Sequence, residues 1–151
     1  MKILIAYGSL GKFFHLKEFS EALQKLDVQT MLVKDSDFST GFPSKKPKEW
    51  IGTNKKFKNL IDEFKPDAVF IDRQSHFGID TIKFKIPLFI LLRGHYWSEI
   101  EWAKKTLYKG PLMRTVIWFR NNIAEKCFRN ATAVLPICKY LEDVVKEHHP
   151  N

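Results

Sequence analysis

Ile123 to Pro150 reads IAEKCFRNATAVLPICKYLEDVVKEHHP. The first part mixes charged and apolar residues as a surface helix does, and that helix is expected to end near Asn130. Ala131 to Leu135 (ATAVL) is a short apolar run, suited to a buried strand and too brief for a helix. A second helix is expected after Pro136. Helix, buried strand and helix in close succession point to alternating α and β elements.

Four earlier segments repeat the strand signature. They are Lys2–Tyr7 (KILIAY), Val28–Val33 (VQTMLV), Asp67–Ile71 (DAVFI) and Pro87–Leu92 (PLFILL). Each is short, largely apolar and bounded by turn residues, the mark of strands buried on both faces of a parallel sheet. Between them lie helical periodicities. Leu16, Phe19, Leu23 and Leu26 share one face with Ala22 beside them, and Phe57, Leu60, Ile61 and Phe64 share another. The expectation is one Rossmann-like α/β domain over residues 1–151, a three-layer sandwich with a mostly parallel sheet of about five or more strands.

Two segments depart from this rhythm. Lys34 to Thr53 is a long polar loop holding Pro43 and Pro47. Trp97 to Arg129 is too long for one crossover helix, and Gly110-Pro111 should divide it, since proline suits a helix start. In the second of these helices, Leu112, Val116, Phe119, Ile123 and Cys127 form an expected core stripe, flanked by Met113, Ile117, Ala124 and Phe128. Arg120 falls inside that stripe, so it must find an acid or reach out of the core.

The chain has 151 residues, 44% of them hydrophobic, and a formal net charge of +8. The charge implies an anionic partner or simply a lysine-rich surface. Cys127 and Cys138 are too few for a disulfide scaffold and lack metal-site spacing, which suits a reduced, cytoplasmic chain. The N-terminus opens directly into a strand, so no signal peptide is expected. No apolar run approaches the ~18 residues of a bilayer span. The chain contains no P-loop, no G-x-G-x-x-G and no nucleophile elbow. His148-His149 has no metal-ligand partners at suitable spacing, so no metal is expected. No helix-turn-helix, RNA-recognition or zinc-finger pattern is present, and no nucleic-acid partner is expected.

In an open α/β sheet, ligands bind at the carboxyl ends of the strands. Three strand ends carry polar groups. Gly8-Ser9-Leu10-Gly11-Lys12 joins the first strand to the first helix, where glycines admit a ligand to backbone amides and the helix start favours an anion. The plain alternative is a tight turn. Asp72-Arg73-Gln74-Ser75-His76 follows the third strand. Arg73 could grip a phosphate or carboxylate bidentately, or pair with an internal acid while Asp72 and Ser75 cap the next helix. Arg93-Gly94-His95-Tyr96-Trp97 follows the fourth. His95 has the titration range of a general base. Away from the strand ends, Trp102 and Trp118 fall on polar helix faces, the latter near Arg114, and Trp50 lies among lysines. Rings on basic faces suit a membrane interface or a partner surface.

Asn130 to Cys138 resembles the stretch that closes the N-terminal domain of retaining GT-B glycosyltransferases, the group 1 or family 4-like enzymes. Thr132 stands where that family usually has Asp, and Cys138 near its usual Ser. The order of strands, polar ends and helices along the chain is similar as well. The resemblance implies half of a GT-B architecture, an acceptor-binding domain whose C-terminal donor-binding domain is absent from this chain. It implies no cofactor here, a nucleotide-sugar donor held mainly by the missing domain or a separate subunit, and an isolated domain that transfers no sugar. His95 would be the catalytic or orienting residue. Gly8, Ser9, Gly11, Lys12, Arg73, Ser75, His76, Arg93, Gly94 and Tyr96 would line the acceptor and phosphate site. Trp50, Trp102, Trp118 and Arg114 would face a glycan- or lipid-linked acceptor's membrane, placing the protein in the cytoplasm at the inner membrane face. The competing class is a free-standing Rossmann-like module that binds an anionic ligand, a membrane surface or a protein.

Overall fold

The computed structural model describes residues 1–44, 46–50, 52 and 54–149; Lys45, Thr53 and Pro150, touched on above, lie outside the described residues. The five strands are β1 (Lys2–Tyr7), β2 (Gln29–Lys34), β3 (Ala68–Ile71), β4 (Leu88–Leu92) and β5 (Ala133–Pro136). They form one sheet in the order β2-β1-β3-β4-β5, and every pairing is parallel. The helices are α1 (Leu10–Gln24), α2 (Asp35–Phe38), α3 (Lys55–Phe64), α4 (His76–Lys83), α5 (Tyr96–Thr106), α6 (Pro111–Arg129) and α7 (Lys139–His148), with a 3₁₀ turn at Pro47–Glu49. The Rossmann-like α/β expectation is met.

Strand alternation distributes side chains between two unequal layers. Leu4, Ala6, Val69, Ile71, Leu88, Ile90 and Leu92 face the larger core, against Phe57, Leu60, Phe64, Phe77, Ala124, Cys127 and Phe128. Ile5 and Phe70 face the other way, where Leu16 and the half-buried Leu23 of α1 meet them with Phe89 and Leu91. All of β3 is buried. β5 is not: its residues are half-buried or exposed, so the expectation of burial on both faces fails at that edge of the sheet, which has one neighbouring strand.

Local signals explain the element ends. α3 buries Phe57, Leu60 and Phe64 on one stripe. It stops at Lys65, which takes a left-handed conformation (φ 52°) before Pro66 forbids continuation. Asp27, which holds the turn into β2, is also left-handed (φ 58°). Asp tolerates that region better than most residues, so the turn keeps its geometry without glycine. Pro111 begins α6 at its first turn after Gly110.

α6 corrects the expected core stripe. Its buried residues are Ile117, Ala124, Cys127 and Phe128, mainly the row expected to flank the stripe, whereas Leu112 is 73% exposed. The first turns of the helix extend past the packed core, so their apolar side chains have nothing to meet. Arg120 is accordingly not in the core. It is exposed, and its guanidinium donates to the Tyr108 hydroxyl. Among the described residues no helix is long and apolar enough to cross a membrane.

Candidate functional site

The strand order reverses between β1 and β3: β1 leads to β2 on one side, and the chain then crosses to place β3 on the other. A reversal of this kind opens a crevice at the carboxyl ends of the two strands. Here it is a cleft of about 780 Å³. Its floor is built from the segments that follow β2 and β3 with Lys12 of α1, and its walls from α4, α5, α6 and the segment after α2.

Two buried carboxylates define the floor. Asp35, directly after β2, is 3% exposed, and Asp72, directly after β3, is 5% exposed. Arg73 Nε and Nη2 both donate to Asp35 Oδ2, at 3.1 and 2.7 Å. Asp72 Oδ1 accepts the Gly8 backbone N–H at 2.9 Å, and Lys12 Nζ stands 3.5 Å from its Oδ2. Gly8 lies close under Arg73: a Cβ there would come 2.7 Å from Nε, so the arginine side chain would have to shift. Gly41 is likewise pressed against the His76 ring, whose Nε2 sits 2.9 Å from the Phe42 carbonyl oxygen.

Among the described residues, each carboxylate keeps an oxygen that no hydrogen bond satisfies. Asp35 Oδ1, Ser39 Oγ, Asp72 Oδ2 and Ser75 Oγ are buried and find no hydrogen-bond partner among the described residues, and all four residues line the cleft. Buried polar atoms of this kind are rare in folded proteins, and their gathering in one cleft marks a binding site rather than a packing flaw. The charged groups that line the cleft are Lys12, Arg73 and Arg120 against Asp35, Glu49, Asp72 and Glu99. The site is therefore not a cationic cradle, and the excess positive charge of the chain lies outside it. Aromatic rings of Tyr96, Trp102 and Tyr108 stand on the α5 side. Among the described residues no group of three side chains could hold a metal ion.

The structure places Lys12, Arg73, Ser75 and His76 along the cleft, with Gly8 bonded to Asp72 beside them. Arg73 is committed to Asp35, and Asp72 tethers Gly8 rather than capping α4. Ser9 and Ser75 occupy the N-cap positions of α1 and α4 without side-chain capping bonds. Gly11 has open space around it. The fourth strand end diverges from the cleft. His95 caps α5 by accepting the Ser98 N–H on Nδ1 at 3.2 Å, and it faces Trp97, Tyr140 and His148. Arg93 and Gly94 are not among the lining residues, whereas Tyr96 is. The Tyr96 hydroxyl is pushed far above its ordinary titration by burial and then by the Glu125 carboxylate. Trp102, Trp118 and Trp50 are 59%, 57% and 48% exposed, and Arg114 is exposed too. Only Trp102 of these lines the cleft.

Asp35, Ser39 and Gly41 were missed in the sequence. Asp35 sits inside a polar segment where nothing marks it as buried. Its position at the end of a parallel strand was the available signal.

The chain matches one curated protein in part. It is 37% identical over 73 residues to the ribosomal RNA small subunit methyltransferase Nep1 of Pyrococcus furiosus. The match covers 42% of this chain and 33% of that protein, so the chain spans about a third of the relative. No family model matches the chain, and no solved structure does. The match to an RNA methyltransferase overturns the glycosyltransferase resemblance, with the acceptor and donor-binding partner it implied. The match also displaces the alternative of a general module for anions, membranes or proteins, and the expectation of no nucleic-acid partner. The resemblance rested on the order of strands and helices. That order specifies an α/β fold, and such a fold hosts many chemistries.

Proposed function

We propose that this chain is an RNA-engaging α/β domain that acts in RNA methylation. The 73-residue match to a ribosomal RNA methyltransferase carries the reading. The net charge of +8 supports it, since phosphate neutralisation supplies most of the affinity in protein–nucleic acid contacts. So do the rings of Tyr96, Trp102 and Tyr108 at the cleft, because unpaired bases stack on aromatic side chains. In this reading the exposed Trp102 and the surface lysines meet RNA, not lipid. Both cysteines are free thiols, which suits the reducing cytoplasm.

Fluorescence anisotropy with a hairpin drawn from small-subunit ribosomal RNA tests the reading. Binding should weaken at least about tenfold between 50 and 200 mM salt. Absence of binding at the lower salt ends the proposal. Transfer of tritium to that RNA from labelled S-adenosylmethionine would extend it from RNA binding to methyl transfer.

A further inference from the structure

The cleft floor asks for hydrogen-bond donors. Asp35 and Asp72 present carboxyl oxygens, and each is held by one set of donors that, among the described residues, leaves the other oxygen without a hydrogen bond. On Asp35 both Arg73 contacts fall on Oδ2, and Oδ1 has no partner. On Asp72 the Gly8 amide takes Oδ1, and Lys12 Nζ stands 3.5 Å from Oδ2. Ser39 Oγ and Ser75 Oγ add two hydroxyls that can accept or donate. Arg73 holds Asp35, and the Gly8 backbone amide holds Asp72.

Three ligand chemistries compete for such a floor. A phosphate is disfavoured, because carboxylates would repel it and the arginine is already paired. A multivalent cation is disfavoured, because the described residues offer no three-ligand group. A hydroxyl donor fits: it is neutral, small, and can give its proton to a carboxylate while accepting from a serine or from Lys12. Among nucleic acids the hydroxyl in question belongs to RNA. The ribose 2′-hydroxyl is both donor and acceptor, and it is what separates RNA from DNA at a given site.

We propose that this cleft selects RNA over DNA because its floor receives the ribose 2′-hydroxyl, whose one proton goes to Asp35 Oδ1 while Ser39, Ser75 or Lys12 donates to its oxygen. The inference rests on the RNA-binding reading above. Phosphates are then met by the basic surface outside the cleft, and a base stacks on the Trp102 side.

The test compares three probes of one sequence against the chain, RNA, DNA and 2′-fluoro RNA, and then challenges bound RNA with AMP or dAMP as competitor. The 2′-fluoro form keeps the sugar pucker and size but has no donor. RNA should bind about tenfold more tightly than DNA or 2′-fluoro RNA, the scale of one hydrogen bond to a charged acceptor. Asp35→Asn should close the gap to less than about threefold. The amide oxygen would stay on Arg73 and its NH₂ would replace Oδ1, so the floor would offer a donor where the hydroxyl had found an acceptor. Because that variant loses an ion pair, Ser39→Ala/Ser75→Ala serves as a second one; it disturbs no hydrogen bond and should also narrow the gap. Equal binding of RNA, DNA and 2′-fluoro RNA overturns the hydroxyl assignment and leaves RNA binding standing. Displacement of RNA by AMP at RNA-like affinity, with dAMP much weaker, overturns the RNA assignment in favour of a free ribonucleotide. No binding of any probe overturns both readings.

Discussion

The Gly8 amide donates to Asp72 Oδ1 at 2.9 Å, a side-chain bond that adds to the backbone pairing of β1 with β3 where the strand order reverses. The tether leaves Asp72 with a second, buried oxygen that has no hydrogen bond among the described residues. Structure and site thus share one side chain. Asp72→Ala strips the buried amide of its partner and should cost about 1–3 kcal/mol. Asp72→Asn keeps an acceptor and should cost less than half as much. Urea denaturation midpoints of the two variants check the ordering. Equal losses would mean that charge, not the tether, is what the site needs.

Asp35 is buried, and Arg73, half of whose side chain is exposed, is its partner. Removing the cation leaves a buried carboxylate uncompensated, which typically costs 3–5 kcal/mol. Solvent access around Arg73 screens that penalty, so Arg73→Ala should cost about 2 kcal/mol. In an Asp35→Ala background the same change should cost well under 1 kcal/mol. A double-mutant cycle by denaturation measures the coupling, and additivity would show that the pair contributes nothing.

Gly78 lies in α4 against α6, and a Cβ there would come within 2.8 Å of Cys127 Sγ. Alanine ordinarily favours helix by about 1 kcal/mol over glycine. Here the clash should dominate, making Gly78→Ala destabilising by about 1–2 kcal/mol. Cys127→Ala removes the sulfur and should recover most of that loss in the double variant. The same packing pushes the Cys127 thiol up to about 12, chiefly through burial. In the native protein a thiol reagent should therefore modify the exposed Cys138 quickly and Cys127 only on unfolding.

Much of the fold was legible because it is written in local periodicity. The apolar runs around Ile3–Ala6, Val69–Ile71 and Leu88–Leu92 located their strands to within a residue or two, and the split at Gly110-Pro111 followed from backbone sterics. The orientation of α6 was not legible. Leu112 and Ile117 are equally apolar, and only the length of the sheet decides which of them meets it. The site was half legible. Gly8, Arg73 and His76 follow strand ends and advertised themselves, while Asp35 is one acid among many in a polar segment until tertiary packing buries it. His95 drew attention as a titratable group at a strand end, yet a capping bond to Ser98 turns it away. The chemistry was least legible, since strand order alone cannot separate one α/β enzyme from another.

His149 packs against Trp97 and Phe128 with its Nε2 at 3.4 Å from Glu125 Oε2. Burial holds its titration below the usual histidine value. Arg129 and His148 act in the same direction, and Glu125 opposes them. The approach to Glu125 becomes an ion pair only on protonation, which burial disfavours. A histidine depressed in the folded state takes up its proton more readily when unfolded. Its stabilisation is therefore complete above the unfolded value of about 6.5 and declines as the pH falls through it. Urea midpoints should drop between pH 7 and 5.5, and the drop should be smaller in His149→Asn. An unchanged pH slope in the variant would remove His149 from the account.

Trp102 and Trp118 are exposed to nearly the same degree, but only Trp102 lines the cleft. Trp118 packs edge-on against Phe119 on the outer side of α6. If a base stacks in the cleft, Trp102→Ala should weaken RNA binding by about 1–3 kcal/mol. Trp118→Ala should leave the affinity within about twofold, less than half a kcal/mol. Both variants remove exposed rings, so folding should be unaffected and circular dichroism should match the parent. Anisotropy titrations with the ribosomal RNA hairpin decide the matter. Equal loss in both would spread the RNA footprint over the exposed face of α6, and loss in Trp118→Ala alone would move it off the cleft.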